Sequence, residues 1–381
     1  MKLGAAFFLA CFCLASCARA PLPPRVTLEP VGFDRLAGWQ EDDLAQAIPA
    51  FRKSCAALER LDPAAPVGPA GLAGSAADWR APCAEAARLA ADAAAARAFF
   101  AANFVPYAVG NNGARDGLFT GYYEPELRGS RIRGGAFQTP LLRRPPDLVT
   151  VELGAFRPDW RGERIAGRVI DGRLRPMPAR SEIARGALDG EHLAFLWVDD
   201  PVDAYFLAVQ GSGRVHLPDG TVVQLGYDGQ NGFPYVGIGR LLVARGALRE
   251  DEVSLASIRA WIGAHPDAGA ALMDENPSYV FFRETDGAGP SGSEGVALTP
   301  GRSLAVDARF LPLGVPLWLD IADGDSRLRR LVIAQDTGGA IRGPVRGDLF
   351  WGGGPEAMAR AGGMRAQGRY YLLLPKSVVP R

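Results

Sequence analysis

Histidine and cysteine, two of the side chains that most often bind transition metals, are scarce in this sequence. Its 381 residues include three histidines and five cysteines. The histidines, His192, His216 and His265, are scattered singly, and the cysteines lack the short paired spacings of zinc sites. The sequence therefore predicts no metal site and no cofactor, and each histidine is expected to be structural or exposed.

An excess of charge of one sign is also absent. The chain contains 42 lysine and arginine residues and 42 aspartate and glutamate residues, so its formal net charge at pH 7 is zero. Proteins that bind the phosphates of nucleic acid carry clustered positive charge. The composition therefore gives no electrostatic argument for nucleic acid as a partner.

The N-terminal apolar run is too short to cross a bilayer. It comprises residues 3–15 and follows Lys2, whereas a membrane-spanning helix needs about 20 apolar residues. A positive charge followed by a short apolar run is typical of a secretory signal peptide. Residues 1–16 are therefore predicted to be a signal peptide that does not belong to the fold.

The predicted signal peptide leads into Leu14-Ala15-Ser16-Cys17, which resembles the lipobox of bacterial lipoproteins. Cleavage before Cys17 would free this residue for lipidation, whereas an ordinary signal peptide could be cut after Ala18-Arg19-Ala20 instead. Residue 18 is not aspartate, so the resemblance to bacterial sorting signals implies the outer membrane. We expect a lipoprotein anchored on the periplasmic face of the outer membrane of a Gram-negative bacterium.

Two cysteines remain for the folded protein. Cys11 and Cys13 leave with the signal peptide and Cys17 would carry lipid, which leaves Cys55 and Cys83. In an exported protein, two remaining cysteines favour one disulfide. Two separate buried thiols are the alternative.

The rest of the pattern divides the chain into a tether, helices and two strand-rich blocks. Residues 17–35 are rich in proline and are predicted to form a flexible tether. Hydrophobic periodicity predicts helices in residues 41–62, 82–103, 181–188, 236–247, 251–264, 267–274 and 355–361. Strand-like runs bounded by glycine and proline include residues 118–120, 205–209 and 222–225, and they resume after Pro277.

The simplest architecture is mainly β with accessory α-helices. The first strand-rich block, residues 118–235, would be a β-barrel domain inserted into a second domain. That second domain would be built from both sides of the insertion, residues 36–117 and 236–381. The chain that remains after the signal peptide is long for one hydrophobic core, which also favours two domains.

Three aspartates near the C-terminus, Asp307, Asp336 and Asp348, lie in settings that suit catalysis. Asp336 ends an apolar run and precedes Gly338-Gly339, where a ligand can approach the backbone closely. Asp348 precedes the apolar residues 349–351, and desolvation by them would raise its pKa, as a general acid near neutral pH requires. Asp348 is therefore the predicted catalytic residue. Asp336 and Asp307 could equally well be catalytic or cap turns, and turn capping is also the alternative for Asp348.

Several motifs follow one another in the order of a known family. The C-terminal ones are residues 336–343, Asp348 and residues 352–357. The upstream ones are Gly121-Tyr122-Tyr123-Glu124-Pro125, Pro178-Ala179-Arg180-Ser181-Glu182-Ile183, Val209-Gln210-Gly211-Ser212-Gly213 and Asn276-Pro277-Ser278-Tyr279-Val280-Phe281-Phe282. Together they resemble the membrane-bound lytic transglycosylase A family, with its three-aspartate domain, over roughly residues 105–375. The upstream motifs make the resemblance specific, because related barrels alone occur in proteins of other activities.

The resemblance implies a double-psi β-barrel domain, a second β-barrel domain and a long glycan-binding groove between them. It places Asp348 as the catalytic acid, with Asp336 beside it. One departure from the family pattern is Arg346, whose positive charge would lower the pKa of Asp348 if the two side chains were paired.

The implied reaction is cleavage of the β-1,4 bond between MurNAc and GlcNAc in peptidoglycan. One carboxyl group would protonate the leaving oxygen, and the C6 hydroxyl of the same MurNAc would attack C1 to leave a 1,6-anhydro ring. A glycoside hydrolase normally needs two carboxylates, which Asp336 and Asp348 could supply, so a β-glycan hydrolase is one alternative. A non-catalytic peptidoglycan-binding lipoprotein is the other. The expected partners are glycan strands, the membrane through the lipid anchor, and cell-wall synthesis or division proteins.

A glycan groove needs rings that stack on sugars and amides that read N-acetyl groups. Tyr122, Tyr123 and Phe233 are candidates for stacking, although adjacent strand residues face opposite ways, so only one of the two tyrosines can line the groove. Gln210 and the backbone of Gly211-Ser212-Gly213 are candidates for the amides, while Gly211 and Gly213 could instead bend a barrel strand. The predicted substrate contacts also include Asp307, Gly338 and Gly339.

Overall fold

The structure is a computed structural model that describes residues 22–380 except 91, 158–159, 161–162 and 288. The predicted signal peptide and Cys17 lie outside these residues. The strands are β1 (Val26–Pro30), β2 (Phe104–Asn111), β3 (Gly117–Glu124), β4 (Glu126–Ser130), β5 (Thr139–Leu142), β6 (Val149–Glu152), β7 (Arg164–Ile170), β8 (Arg173–Pro176), β9 (Ala194–Val198), β10 (Gly213–His216), β11 (Val222–Gln230), β12 (Val280–Glu284), β13 (Ser303–Val306), β14 (Pro316–Asp323), β15 (Ser326–Asp336), β16 (Arg346–Gly353) and β17 (Arg365–Pro375). The helices are α1 (Ile48–Leu58), α2 (Ala76–Arg88), α3 (Ala93–Asn103), α4 (Arg180–Ala184), α5 (Pro201–Gln210), α6 (Ile238–Ala244), α7 (Leu255–Ala264), α8 (Pro266–Asp274) and α9 (Gly354–Gly363).

Eight strands form the largest sheet, and part of it closes on itself. The strand order is β1-β2-β17-β14-β15-β13-β16-β3, and β3 also pairs with β17. This additional pairing closes a ring of β17, β14, β15, β13, β16 and β3. Closure leaves no free strand edge within the ring. The prediction of a mainly β fold with accessory helices is confirmed, and the closed ring lies where the family resemblance implies a barrel.

The barrel and the N-terminal helices share one hydrophobic core. Leu317, Trp318 and Leu319 of β14 are fully buried, and the Trp318 ring packs edge-on against Trp39 with 5.1 Å between ring centroids. Each buried side chain of this kind contributes roughly 1.5–3 kcal/mol. The N-terminal helices and β2 add the buried aromatic side chains Phe51, Trp79, Phe99, Phe100 and Phe104.

A disulfide joins α1 to α2. It links Cys55 and Cys83, which are 28 residues apart in the sequence and both buried. A cross-link over a loop of this size typically stabilises a fold by roughly 2–4 kcal/mol. The disulfide connects the two cysteines that the sequence left for pairing, and it ties the helices that cover the barrel.

A second β-structured region lies between β3 and β13. Its six-stranded sheet has the order β12-β11-β10-β4-β9-β5, and a separate three-stranded sheet has the order β6-β7-β8. Tyr205 and Phe206 of α5 pack with apolar residues of α6, α7 and α8 in a core of their own. Because β3 belongs to the barrel and β12 to the second sheet, strand pairing places this region at residues 126–284. The predicted limits of 118–235 differ because helices α6–α8 separate β11 from its partner β12 in the sequence.

The predicted tether is wrong over residues 26–35. Residues Val26–Pro30 form β1, an edge strand of the large sheet in which Val26 is opposite Asn111. Val26 and Leu28 pack against the barrel core. Apolar residues alternate along this segment, and Pro30 is tolerated at the end of an edge strand because its missing N–H is not needed there. The prolines therefore do not prevent this segment from joining the fold.

The predicted strand at residues 205–209 is also wrong, because these residues lie in α5. Asp200 accepts a hydrogen bond from the backbone N–H of Val202 at 2.7 Å, and Pro201 occupies the first helical turn. An aspartate cap followed by proline is a strong helix-start signal. The aromatic and β-branched residues of the run face the core of the second region rather than alternating across a sheet.

The helix predictions hold in place but not always in length. Residues 82–103 contain two helices, because α2 ends at Arg88 and Asp92 caps α3 by accepting a hydrogen bond from the backbone N–H of Ala95. Within residues 41–62, α1 is preceded by a short 3-10 turn at Leu44–Ala47. In the described part of the chain, no helix is both long and apolar enough to cross a bilayer.

Candidate functional site

Strand β13 lies between the two strands that carry Asp336 and Asp348. Ala305 of β13 is opposite Asp336 of β15 on one side and opposite Asp348 of β16 on the other. Neighbouring strands are about 4.8 Å apart, so the two aspartate backbones are separated by roughly two strand spacings. The barrel therefore brings together two aspartates that the sequence predicted as a pair.

Within the described part of the chain, the half-buried Asp348 carboxyl group has a single hydrogen-bond partner, which is a hydroxyl group. The flanking residues Leu349 and Phe350 are buried. The hydroxyl of Thr120 on β3 donates to Asp348 Oδ1 at 2.6 Å, because the parallel pairing of β3 with β16 places the two residues opposite each other. Burial raises the pKa of Asp348 to about 6, although the Thr120 hydrogen bond and the charge of Arg346 oppose this rise.

Arg346 is directed to Thr120 rather than to the carboxyl group. Its Nη2 donates to Thr120 Oγ1 at 2.8 Å, and its Nη1 donates to the carbonyl oxygens of Leu118 and Gly347. Among the described residues, no ion pair forms between Arg346 and Asp348. The expected effect of a direct pair, a pKa lowered below its usual value, does not occur. Arg346 instead orients the hydroxyl whose proton points at Asp348.

Asp336 is held by four donors. Its Oδ1 accepts hydrogen bonds from the backbone N–H and the hydroxyl of Ser293 and from the backbone N–H of Thr337, at 2.8–3.0 Å. Its Oδ2 accepts a hydrogen bond from the hydroxyl of Tyr122 at 2.9 Å. Burial raises the pKa of Asp336 despite these bonds. A carboxyl group held this firmly at the end of β15 is suited to positioning, and it keeps a second negative charge near Asp348.

The two predicted stacking tyrosines are both buried. Tyr122 is 7% exposed, and its ring packs against Phe350 with 5.2 Å between centroids. Tyr123 is 4% exposed and packs against Ala357 and Ala361 of α9. The two rings face opposite ways, as expected for neighbours on a strand, and neither offers an open face to a sugar in this conformation. Tyr122 instead donates its hydroxyl to Asp336, and burial together with the charges of Asp336 and Asp348 raises its pKa.

Asp307 lies at the end of β13 and holds the loop that leads to β16. Arg309 donates to both of its oxygens, at 2.9 and 2.7 Å, and the backbone N–H of Gly343 donates to Oδ2 at 2.7 Å. Burial alone would raise the pKa of Asp307, but these hydrogen bonds outweigh it and lower the pKa. These contacts support the structural interpretation of Asp307, and its contact with substrate remains a prediction.

The segment from Gln210 to Gly213 joins α5 to β10. Gln210 Oε1 accepts a hydrogen bond from the backbone N–H of Tyr123 at 3.1 Å, so this amide contacts the barrel strand β3. Gly211 has a φ of +81° and ends α5, a position that favours glycine. It therefore does not bend a barrel strand. A side chain on Gly213 would meet Leu207 and the carbonyl oxygen of Pro125. Substrate reading by this segment, including Ser212, remains a prediction.

Of the paired glycines after Asp336, Gly339 lies near the second region. A Cβ on Gly338 would lie 2.9 Å from Ile341, and one on Gly339 would lie 3.9 Å from Cβ of Tyr235. Both glycines are exposed, so the backbone of this loop is open to solvent. Their predicted contact with substrate stays a prediction.

The upstream motifs hold one another in place. Arg180 is buried, its guanidinium lies over the rings of Tyr205 and Tyr279, and its Nε donates to the Ser278 carbonyl oxygen at 2.9 Å. Asn231 donates to the carbonyl oxygens of residues 178 and 277. These motif residues therefore join separate segments of the second region.

Sequence reasoning missed Thr120 and Ser293, whose hydroxyl groups contact Asp348 and Asp336 respectively. Thr120 is 228 residues away from Asp348 in the sequence, and Ser293 is 43 residues away from Asp336. The available signal was the position of Thr120 beside the Gly121-Tyr122-Tyr123 motif. No comparable signal marks Ser293.

Comparisons with known proteins agree on one family. The family model described as the MltA specific insert domain matches residues 118–283, and the one described as the 3D domain matches residues 302–374. A crystal structure of a membrane-bound lytic murein transglycosylase from Agrobacterium tumefaciens is 34% identical, with a TM-score of 0.81, and the match covers 92% of this chain and 98% of that one. The chain belongs to the membrane-bound lytic murein transglycosylase A family.

Two further family members show how far the similarity extends. The membrane-bound lytic murein transglycosylase A of Vibrio cholerae is 38% identical over 205 residues, which are 51% of this chain and 55% of that protein. The chain therefore matches little more than half the length of this curated relative. The crystal structure of Escherichia coli MltA with bound chitohexaose is 26% identical, with a TM-score of 0.66, and the match covers 93% of this chain and 95% of that one.

The family matches divide the chain much as strand pairing does. The insert match ends at residue 283, within β12, and the 3D match begins at residue 302 and includes β13 to β17. Asp307, Asp336 and Asp348 therefore all lie in the family's 3D domain. In chemical terms, this domain offers one carboxyl group that can gain and lose a proton near neutral pH and a second that is fixed beside it.

Proposed function

We propose that the protein is a lytic transglycosylase that cleaves the β-1,4 bond between MurNAc and GlcNAc of peptidoglycan and forms 1,6-anhydroMurNAc ends. The observation that carries this proposal is the half-buried Asp348 carboxyl group, whose pKa is raised to about 6 by desolvation. A general acid needs a pKa near the working pH, because it must hold a proton and also release it. The names of the related proteins support the reaction class.

In the proposed cycle, Asp348 both gives and takes the proton. It donates a proton to the glycosidic oxygen while the bond from MurNAc C1 to that oxygen breaks, which releases GlcNAc with a free 4-hydroxyl group. The Asp348 carboxylate then accepts the proton of the MurNAc C6 hydroxyl, whose oxygen bonds to C1 and closes the anhydro ring. Asp348 ends protonated, and no water is consumed.

The surroundings of Asp336 favour this single-acid mechanism over hydrolysis. A hydrolase would use the second carboxylate as a nucleophile or as a base for water. Both carboxylate oxygens of Asp336 already accept hydrogen bonds from the protein. Asp336 is therefore better suited to orient Tyr122 and to raise the pKa of Asp348 through its charge. The same environment argues against a purely glycan-binding protein, since such a protein needs no carboxyl group with a raised pKa.

We also propose that the second β-structured region binds the glycan across the groove from the barrel. The predicted substrate contacts are Gln210, Gly211, Ser212, Gly213, Asp307, Gly338 and Gly339, while Phe233 remains a candidate for stacking. Support comes from the E. coli family member, whose structure was determined with chitohexaose, and from Gly339, which lies against Tyr235 of this region.

A lipid anchor on Cys17 is the proposed means of attachment to the periplasmic face of the outer membrane. The family name describes its members as membrane-bound. Cys17→Ser should move the protein from the outer-membrane fraction to the soluble periplasm while cleavage of isolated peptidoglycan persists. A Ser variant that still sediments with outer membranes at high salt would show that the anchor lies elsewhere. Cell-wall synthesis or division proteins are the proposed protein partners.

Mass analysis of the products tests the proposed reaction. The purified protein is incubated with isolated peptidoglycan, and the soluble fragments are separated and weighed. We expect 1,6-anhydroMurNAc ends, which are lighter than reducing ends by one water. Reducing ends would support a hydrolase, and bound but uncut glycan would support a binding protein.

A further inference from the structure

A basic cavity lies in the second region, outside the surroundings of Asp348. It has a volume of about 340 Å³ and lies beside β7, β11 and β12. Three arginines line it, Arg144, Arg164 and Arg283, together with Tyr227 and Asp228. Three positive charges and one negative charge give its lining a formal charge of +2. The charge of the cavity lining therefore favours the binding of anions.

The arginines of the cavity are weakly neutralised by the protein itself. Arg144 Nη2 donates to the carbonyl oxygen of Leu148 at 2.6 Å, which satisfies one N–H but not the charge. Arg164 Nε lies 3.8 Å from Glu152, and both of these side chains are more than half exposed. Within the described part of the chain, neither Arg144 nor Arg283 forms an ion pair. Arginine presents several N–H donors in a planar fork that matches a carboxylate, so these side chains are available to an anionic ligand.

Two contacts connect the cavity wall to the catalytic barrel. Arg164 directly follows Glu163, whose carboxylate lies 3.2 Å from Arg309 of the barrel. Arg309 in turn holds Asp307, which positions the loop before β16. The cavity-lining Arg164 is therefore the sequence neighbour of a residue that forms an ion pair with the catalytic domain.

The second connection runs through the segment that leaves β11. Gly232 lines the cavity, and Tyr235, three residues further, lies against Gly339 of the loop that follows Asp336. The segment that borders the cavity therefore also borders the loop that follows Asp336.

We propose that this cavity binds carboxylate groups of the peptide stems that branch from peptidoglycan glycan strands. The inference rests on the proposed function and deepens it, because it names the part of the substrate that the second region recognises. Stem peptides carry free carboxylates, whereas the sugars of the strand are neutral once their lactyl groups are joined to stems. The cavity volume falls in the range of about 300–1,000 Å³ that is typical of small-ligand sites. The stem thus adds a charged anchor to a glycan that offers only hydroxyl and amide groups.

Stripped strands provide a second source of the same chemistry. When an amidase removes the stems, each MurNAc exposes a lactyl carboxylate on the sugar itself. A comparison of stem-bearing and stripped strands therefore separates recognition of the stem from recognition of the sugar. Chitohexaose, which has no carboxylate, serves as a neutral ligand.

The test measures kcat/KM for both kinds of strand with Arg283→Gln, since Arg283 is exposed at the cavity and its replacement spares the core. Arg144→Gln is the second variant. The matched control is Arg173→Gln, which removes the same charge at the other end of β7–β8, where Arg173 is opposite Ile170. Chitohexaose affinity reports on the integrity of the glycan groove in every variant.

We expect each cavity variant to lower kcat/KM on stem-bearing strands about tenfold, the usual weight of one charge-assisted hydrogen bond. Stripped-strand cleavage and chitohexaose affinity should stay unchanged, and Arg173→Gln should behave like the parent. Equal losses on both strands, or no loss on either, would overturn the inference. A parent protein that cleaves neither strand would instead refute the proposed function.

Discussion

The two aspartates that flank Ala305 occupy opposite kinds of surroundings. Asp348 lies within β16 and meets one hydroxyl group, whereas Asp336 ends β15 and meets four donors. Burial raises the pKa of both, but only Asp348 keeps an oxygen without a protein donor among the described residues. The difference teaches that residue type and barrel position do not assign the roles. We propose that the number of hydrogen bonds distinguishes the two roles, because the carboxyl group with fewer donors is freer to exchange a proton.

The largest expected effect is that of Asp348→Asn. The substitution keeps the shape and removes the transferable proton, so kcat should fall about a hundred- to ten-thousand-fold. The measurement is the release of soluble fragments from peptidoglycan, with chitohexaose binding as a control for the groove. Asp325→Asn, an exposed aspartate in the β14–β15 turn, is the matched control. Activity of the Asp348 variant within a few-fold of the parent would remove Asp348 from the mechanism.

The same variant should be more stable than the parent above pH 6. The folded pKa of Asp348 is about 6 and its ordinary value is 3.8, so its contribution to stability is complete below pH 4 and is lost as the pH rises through 6. Asparagine does not ionise, so the variant is not destabilised in this way. The free energy of unfolding at pH 8 should therefore rise by roughly 1–3 kcal/mol, with little difference at pH 4. Urea denaturation at the two pH values measures it, and an equal change at both would contradict the assigned pKa.

Asp336→Asn should lower the rate about tenfold, far less than the Asp348 substitution, and leave the product unchanged. Its negative charge helps to raise the pKa of Asp348. Removing that charge should move the alkaline limb of the pH–rate profile to lower pH. Loss of activity as complete as that of Asp348→Asn would mean that both carboxyl groups react, as in a hydrolase.

The smallest effect is expected for Thr120→Val, which removes the only hydroxyl among the described residues that contacts Asp348. The Thr120 hydrogen bond lowers the pKa of Asp348, so its loss should move the alkaline limb to higher pH, opposite to Asp336→Asn. The rate should fall roughly fivefold, which corresponds to the free energy that one hydrogen bond typically contributes. Thr120→Ser keeps the hydroxyl and should restore the parent profile. A profile that moves the same way in both Thr120 variants would contradict the assigned contact.

Local sequence signals marked Asp336 and Asp348 as candidates and the family resemblance placed them side by side, but neither predicted the residues that contact them. Asp336 and Asp348 stand beside apolar strands and turns, and both features can be read from neighbouring residues. The hydrogen bonds that Thr120 and Ser293 donate to the aspartates depend on which strands and loops become neighbours when the barrel closes. The same limit explains why β1 was predicted as a tether. Its alternating apolar residues form a strand only by pairing with β2, whose Val109 lies opposite Leu28 and 81 residues away. Pairing between distant strands cannot be read from local periodicity.

In α5, by contrast, a local signal was present but was outweighed by composition. Residues 205–209 are aromatic and β-branched, which favours a strand. Asp200 and Pro201 before them, and Gly211 after them, are helix caps. The capping residues correctly indicate a helix. Burial of one face of α5 against α6–α8 stabilises this helix despite the strand propensity of its residues.

The oxygen atom at the new glycan end tests the single-acid account most directly. The parent enzyme and Asp336→Asn are run in oxygen-18 water, and the product ends are weighed. We predict anhydro ends without oxygen-18 from both, because the nucleophile is the C6 hydroxyl of the substrate. Labelled reducing ends from the parent enzyme would show that water is the nucleophile, and the two aspartates would then be the acid and base of a hydrolase.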